Sequence, residues 1–315
     1  SKKSVLALAA HLENQGIRCS VIYGSLPPAT RREQVRRFLE KETEVVVSTD
    51  AIGMGLNLPI RRIVFIETRK FDGVGRRSLL PEEIKQIAGR AGRFGLYDEG
   101  FVAVLDDLEL IKDGLERRPI PIMKAYIGFP EQLLKLPAEI DTLVKIWAGM
   151  ETPSISEKME VDELLALYVS FEHVQRDHMD EFSKEEIYKL ITCSVDIDNK
   201  LVMDLWKDYC RDYRDVEELQ FPYSPGPDLY DLESYYKMLD LYFQFSRKVG
   251  LPVQEENLVE ERRNTEEEIS RILKTECASY TRKCTICGRE LSWDYPFSIC
   301  ERCFERGKRV HPRRR

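Results

Sequence analysis

Four short apolar runs recur through the first third of the chain, each bounded by charge, glycine or proline: Cys19–Tyr23, Glu44–Ser48, Arg62–Glu67 and Phe101–Leu105. Each is rich in valine and isoleucine and too short for a helix, the pattern of strands buried on both faces. Helical stretches lie between them, at Arg31–Glu40 and Pro81–Arg93, and a helix over residues 4–15, stopped at Gly16, opens the chain. Strands alternating with helices predict an α/β domain built on a parallel sheet. Pro81 suits a first helical turn and Gly95 a C-terminal cap.

Between the third strand and the next helix lies T-R-K-F-D-G-V-G-R-R-S-L-L (68–80). D-G-V-G is a turn signal, and Arg69, Lys70, Arg76 and Arg77 flank it. The result is a basic hairpin fit to touch nucleic acid or to act as a strand-separating wedge, or else a plain exposed loop. From residue 131 the pattern is helical. Ser154 with Glu157 and Ser183 with Glu186 read as capping boxes. F-P-Y-S-P-G-P (221–227) is a break, and a tyrosine-rich helix over Asp228–Val249 follows; Tyr230, Tyr235, Tyr236, Tyr242 and Phe243 are suited to stacking bases, while Tyr235, Tyr242 and Phe243 fit better on a buried face. Residues 254–276 are highly charged around a thin apolar stripe (Leu258, Ile269, Ile272, Leu273), which favours an exposed helix or connector. The predicted organisation is residues 1–130, α/β; 131–220, helical; 221–281, a C-terminal helical region with a long charged helix; and 282–315, a cysteine-rich module with a basic tail.

The net charge of −7 is unevenly spread. Residues 1–130 carry 21 basic and 17 acidic side chains, residues 131–281 carry 17 and 34, and residues 282–315 carry 10 and 4. The two basic ends suit nucleic acid, and the acidic middle suits a solvated helical surface or a docking face. No apolar run approaches the roughly 18 residues of a transmembrane helix, so no membrane partner is expected. Of eight cysteines, Cys19, Cys193, Cys210 and Cys277 are scattered, which fits a reducing compartment better than a disulfide framework.

The other four are spaced Cys284-x2-Cys287-x12-Cys300-x2-Cys303. Two C-x-x-C pairs at this distance predict one tetrahedral, structural Zn²⁺ site, contributing on the order of 10 kcal/mol to local folding. Arg282, Lys283, Arg289, Arg302, Arg306 and Lys308 make the module basic, suited to RNA or to a protein. His11, His173, His178 and His311 are isolated and read as no ligands.

Gln86–Gly95 reads Q-I-A-G-R-A-G-R-F-G, and Ser48–Pro59 reads S-T-D-A-I-G-M-G-L-N-L-P. On a helix Gln86, Arg90 and Arg93 fall at i, i+4 and i+7 and point one way. Planar guanidinium groups suit a phosphate that gains charge in a transition state. Gly89, Ala91 and Gly92 let another backbone or a nucleotide come close. There is no G-x-x-x-x-G-K-[ST], since the one Gly-Lys pair, Gly307-Lys308, is followed by Arg309. No D-E-x-D or D-E-x-H occurs either, because Asp98-Glu99, Asp162-Glu163 and Asp180-Glu181 all fail at the fourth position. With neither motif present, the chain is expected not to hydrolyse ATP alone.

These two segments resemble motifs V and VI of superfamily-two helicases of the DExH-box class. Y-G-S-L-P-P (23–28) resembles the segment after motif IV. The wording is most similar to the helicase of the mitochondrial degradosome and its bacterial relatives, which are RNA helicases; the strong match covers residues 1–130 and a weaker one runs to about 250. The resemblance implies the second RecA-like domain, lacking its first strand, in a chain that opens at S-K-K like a fragment. It implies an ATP- and Mg²⁺-dependent, 3′-to-5′ RNA helicase whose N-terminal RecA-like domain lies upstream, acting on single-stranded nucleic acid, with an exoribonuclease as a possible partner. It assigns Arg93 as arginine finger, with Arg90 and Gln86 facing the triphosphate. Gly53, Gly55 and Asn57 face the ribose side, and Thr49, Gly24 and Ser25 contact the nucleic-acid backbone, with Asp50 organising its loop. A bacterial relative would be cytoplasmic, the alternative being mitochondrial. Two other readings stay open: a non-enzymatic binding module on a RecA-like scaffold, and a DNA helicase.

Overall fold

The computed structural model describes residues 1–53, 58–72, 75–92, 97–118, 121, 123–295 and 297–310, the last four in backbone only. The chain divides into two compact units, Ser1–Pro119 with Glu266–Arg315, and Ile120–Thr265.

In the first unit α1 (Lys2–Asn14), β1 (Cys19–Ile22), α2 (Pro28–Leu39) and β2 (Val45–Ser48) alternate, followed by a 3-10 turn, Asp50–Gly53. Then come β3 (Arg62–Phe65), the hairpin β4 (Arg69–Phe71) and β5 (Arg76–Ser78), α3 (Pro81–Ala88), β6 (Phe101–Val104) and α4 (Leu108–Glu116). The four predicted strands are present, each a residue or two shorter. Among the described residues they form two parallel pairs, Cys19–Ile22 on Val45–Ser48 and Arg62–Phe65 on Phe101–Val104, and not one continuous ladder. β1 is fully buried. Its buried Ser20 hydroxyl donates to Gln34 O at 2.9 Å, and Val21 N donates to Gln34 Oε1 at 3.0 Å, so α2 satisfies the polar groups of the strand it covers. Ile22, Ile52, Leu58 and Ile60 form one cluster, and Phe65, Leu79, Ile84, Ala88 and Ile111 another.

The second unit starts from β7 (Ala125–Ile127), continues through α5 (Ile140–Gly149), and returns β8 (Ser156–Lys158) parallel to β7. Ser154 and Glu157 therefore flank and enter a strand and make no capping box. The Ser183 box does form: Ser183 Oγ accepts from Glu186 N at 3.2 Å, and Glu186 Oε2 accepts from Ser183 N at 3.0 Å. α6 (Asp162–Val174), α7 (Lys184–Ile191), α8 (Lys200–Asp212) and α9 (Leu229–Val249) pack around Phe171, Trp206, Tyr242 and Phe245, all fully buried. Tyr235 and Tyr242 are core residues, as their spacing predicts, and Tyr230 is exposed.

α10 (Glu255–Thr275) is the long charged helix, but its stripe is not exposed. Leu258, Ile269, Ile272 and Leu273 are all at most 3 % accessible. After a 3-10 turn at Cys277–Ser279, β9 (Arg282–Lys283) and β10 (Glu290–Leu291) pair antiparallel, and α11 (Glu301–Val310) follows. No helix among the described residues is long and apolar enough to cross a membrane.

Candidate functional site

β2 ends at Ser48, and Thr49 N donates to Ile22 O at 3.0 Å, holding the turn to the end of β1. Thr49 Oγ1 accepts from Ala51 N at 3.3 Å, which starts the 3-10 turn. Gly24 and Ser25 lie exposed in the turn after β1, and Gly24 O accepts from Arg31 Nη2 at 3.0 Å.

α3 lies across this turn. It is shorter than the spacing predicts: it stops at Ala88, and Arg90 sits in the turn beyond it. The expectation that Gln86, Arg90 and Arg93 share one helical face therefore fails for Arg90. The chain leaves the helix because Ala91 makes a parallel bridge with Ile60, Gly92 N donates to Ile60 O at 2.9 Å, and Gly92 takes φ +75°. A Cβ on Gly92 would lie 2.8 Å from Gly100 Cα. The second glycine of the motif thus serves a backbone-on-backbone approach. Arg93, Gly95, Gly55 and Asn57 lie outside the described residues.

One residue of α3 and one just beyond it hold the Asp50–Gly53 turn at its Gly53 end. The Arg90 guanidinium donates to Gly53 O. Gln86 runs beside Gly53, where a Cβ would meet Gln86 Cγ at 3.3 Å. At the other end, Lys70 of β4 bridges Asp50 Oδ2 at 2.7 Å and Glu83 Oε1 at 3.0 Å. Glu83 also receives both Arg77 amines, at 2.9 and 3.0 Å, and Leu80 N at 2.8 Å. Arg77 reaches Asp72 at 3.2 Å. The predicted basic hairpin is therefore present, but two of its four cations are committed to this network. Arg69 and Arg76 stay exposed, as does Phe71. The sequence showed these charges without their partner Glu83, whose position three residues into α3 was the available signal.

The Arg77 hydrogen bonds, with those of Leu80 and Lys70, hold the Glu83 carboxyl down to about 2 from 4.5. A depressed carboxylate stabilises the fold above its unfolded value and loses that contribution as pH falls toward about 2. The pairs are partly exposed, so the contribution is about 1 kcal/mol. Glu83→Gln is expected to flatten the fall of the thermal midpoint between about pH 4.5 and 2. An unchanged acid limb would mean the network carries no stability.

The four cysteines at positions 284, 287, 300 and 303 converge, with all their Sγ atoms within 4.8 Å of one another. Cys287 Sγ and Cys300 Sγ are 3.7 Å apart, and no cysteine is in a disulfide. Tetrahedral zinc with bonds of about 2.3 Å spaces its sulfurs by about 3.8 Å, whereas a disulfide needs about 2 Å. The donor set fits zinc. Cys284 Sγ accepts from Cys300 N at 3.3 Å, and such backbone hydrogen bonds hold its thiol down to about 6. Cys303 is pushed up, first by its hydrogen bond with Cys287.

Residues 1–95 match the family described as the helicase conserved C-terminal domain. The chain is similar to the mitochondrial DExH-box ATP-dependent RNA helicase DExH16 of Arabidopsis thaliana, 32% identical over 79% of this chain and 47% of the relative. It is similar to the mitochondrial ATP-dependent RNA helicase SUPV3L1 of Homo sapiens, 32% identical over 78% of this chain and 34% of that protein. It also resembles the mitochondrial ATP-dependent RNA helicase SUV3 of Oryza sativa subsp. japonica, 46% identical over 41% of this chain and 23% of the relative. The chain spans less than half the length of these relatives.

Proposed function

We propose that the chain belongs to the DExH-box RNA helicases and forms the C-terminal half of an ATP-dependent RNA helicase. Its motif VI segment completes a nucleotide site begun by an N-terminal RecA-like domain carrying the phosphate loop and the Mg²⁺ carboxylate, neither of which this sequence contains. Arg93 stabilises the charge of the transferring phosphoryl group, and Arg90 and Gln86 hold the turn beside it. Gly53, Gly55 and Asn57 face the ribose. Thr49, and Gly24 and Ser25 on the other side of the track, contact the backbone of a single strand, with movement 3′ to 5′.

The observation that supports this reading best is the direct grip of the motif VI segment on the motif V turn, Arg90 to Gly53 O with Gln86 against Gly53. A turn that touches RNA at Thr49 and nucleotide at Gly53 is thereby tied to the residues facing the triphosphate. ATP-driven closure and RNA grip then move together. A bare binding scaffold has no use for that connection. The relatives' names place them in mitochondria, and we assign this protein the same compartment, with an exoribonuclease as the partner that consumes unwound RNA. The four cysteines bind one Zn²⁺, which when bound closes the site and supplies no reactivity.

The test joins this chain to its N-terminal lobe and measures ATP turnover with single-stranded RNA, with DNA and with neither. RNA-selective stimulation is expected, with affinity falling by about 0.7 log units per log unit of salt for each phosphate neutralised. Equal stimulation by DNA would make it a DNA helicase. No turnover in the joined protein would favour the binding module.

A further inference from the structure

The chain's last segment belongs structurally with its first. Glu266–Arg315 groups with Ser1–Pro119. Glu266 caps α2, its Oε1 accepting from Ala29 N at 3.1 Å and its carbonyl from Thr30 Oγ1 at 3.2 Å. The turn at Cys277–Ser279 lies on α1, where Asn14 Nδ2 donates to Ala278 O at 3.4 Å and Cys277 is fully buried. Farther along, the Trp293 ring sits 6.0 Å from the His11 ring of α1.

Trp293 lies in the loop between the two cysteine pairs. Arg282 gathers that loop by donating to Trp293 O and Phe297 O, each at 3.4 Å, and to Tyr295 O. Thr285 N donates to Ser298 O at 2.9 Å, closing the loop at the cysteines. Among the described residues the module's apolar core is Cys284, Cys300 and Cys303 with Leu291 and Ile299 packed on them. So small a core cannot order such a loop unaided. α1 in turn backs β1: Glu13 Oε1 accepts from Cys19 N at 3.3 Å, and β1 leads into the Gly24–Ser25 turn.

We propose that the four-cysteine module is a metal-dependent clasp on α1, so that zinc occupancy sets how firmly α1 and β1 are held in the helicase domain. The proposal rests on the zinc reading above. Zinc orders the loop, the loop presents Trp293 to His11, and that contact, beside the Cys277–Ser279 turn, pins α1.

Hydrogen exchange on the full 315-residue chain, before and after a high-affinity zinc chelator, tests it alongside metal analysis. One zinc per chain is expected, and chelation should speed exchange in α1 and β1 at least tenfold while α8 and α9 stay protected. Trp293→Ala, which retains the four ligands, should bind zinc normally yet show the same loosening of α1. Absence of zinc from the purified protein would sink the metal reading and the clasp together. Zinc lost on chelation with exchange changing only at residues 282–306 would overturn the clasp and leave the metal site standing. A Trp293→Ala protein with α1 fully protected would also overturn it.

Discussion

Arg93→Ala, placed in the protein that carries both nucleotide lobes, is expected to cut RNA-stimulated ATP turnover by about 10³- to 10⁵-fold, the range seen for groups of this kind. The loss should fall on the rate at saturating ATP, with RNA affinity little changed, because an arginine finger, the role proposed for Arg93, acts on charge that exists only in the transition state. Arg90→Ala should behave differently. Its guanidinium donates to Gly53 O, so its removal is expected to loosen the motif V turn and to weaken RNA stimulation as well as turnover. Steady-state ATPase across an RNA titration separates the two. If Arg93→Ala retained more than a tenth of the natural rate, the arginine-finger assignment would be wrong.

The second large effect is on stability. Ile269 and Leu273 are completely buried and Ile272 nearly so, all within the unit that contains Ser1–Pro119. Replacing one such residue by alanine costs about 2–5 kcal/mol, against a total stability of about 5–15 kcal/mol for a domain. Ile269→Ala is therefore expected to lower the midpoint of the first unit's unfolding sharply while leaving the unit of Ile120–Thr265 unchanged. The Ile269→Ala, Leu273→Ala double variant should leave the first unit largely unfolded. Chemical denaturation followed by hydrogen exchange at β1 and at α9 reads the two units apart. A double variant with β1 still protected would show that α10 is dispensable to the helicase domain.

Much of the helicase domain was legible because its strands are dense in valine and isoleucine and its motifs are fixed in wording. Cys19–Ile22 and Val45–Ser48 announce themselves. What stayed hidden has physical causes. The end of α3 at Ala88 depends on Gly92 meeting Gly100, a contact between residues eight apart that no helical periodicity reports. β8 is the polar triplet Ser156–Lys158, and a nearby Ser–x–x–Glu spacing imitated a helix start. The stripe on α10 looked too thin for a core, yet its four apolar residues are buried, because burial depends on long-range packing that spacing does not report. At the candidate site the motifs pointed to Gln86, Arg90 and Gly53, while the pairing of Lys70 with Asp50 and Glu83 depends on a hairpin folding back beside a helix, which sequence spacing does not report. The four cysteines were readable from spacing alone, though not that their loop reaches α1.

The division of the first unit between residues 1–119 and 266–315 bears on how the protein is made. A ribosome delivers α1, β1 and α2 long before the segment that caps and covers them. At roughly 5–20 residues per second, the wait is on the order of ten seconds or more. During that interval residues 120–265 can complete their own core, while the nascent helicase half still lacks Glu266, Ile269 and Leu273. Its unfinished apolar surface is then a natural client for chaperones. Slowing synthesis within residues 120–265 should therefore raise misfolding of the helicase half more than of the helical half.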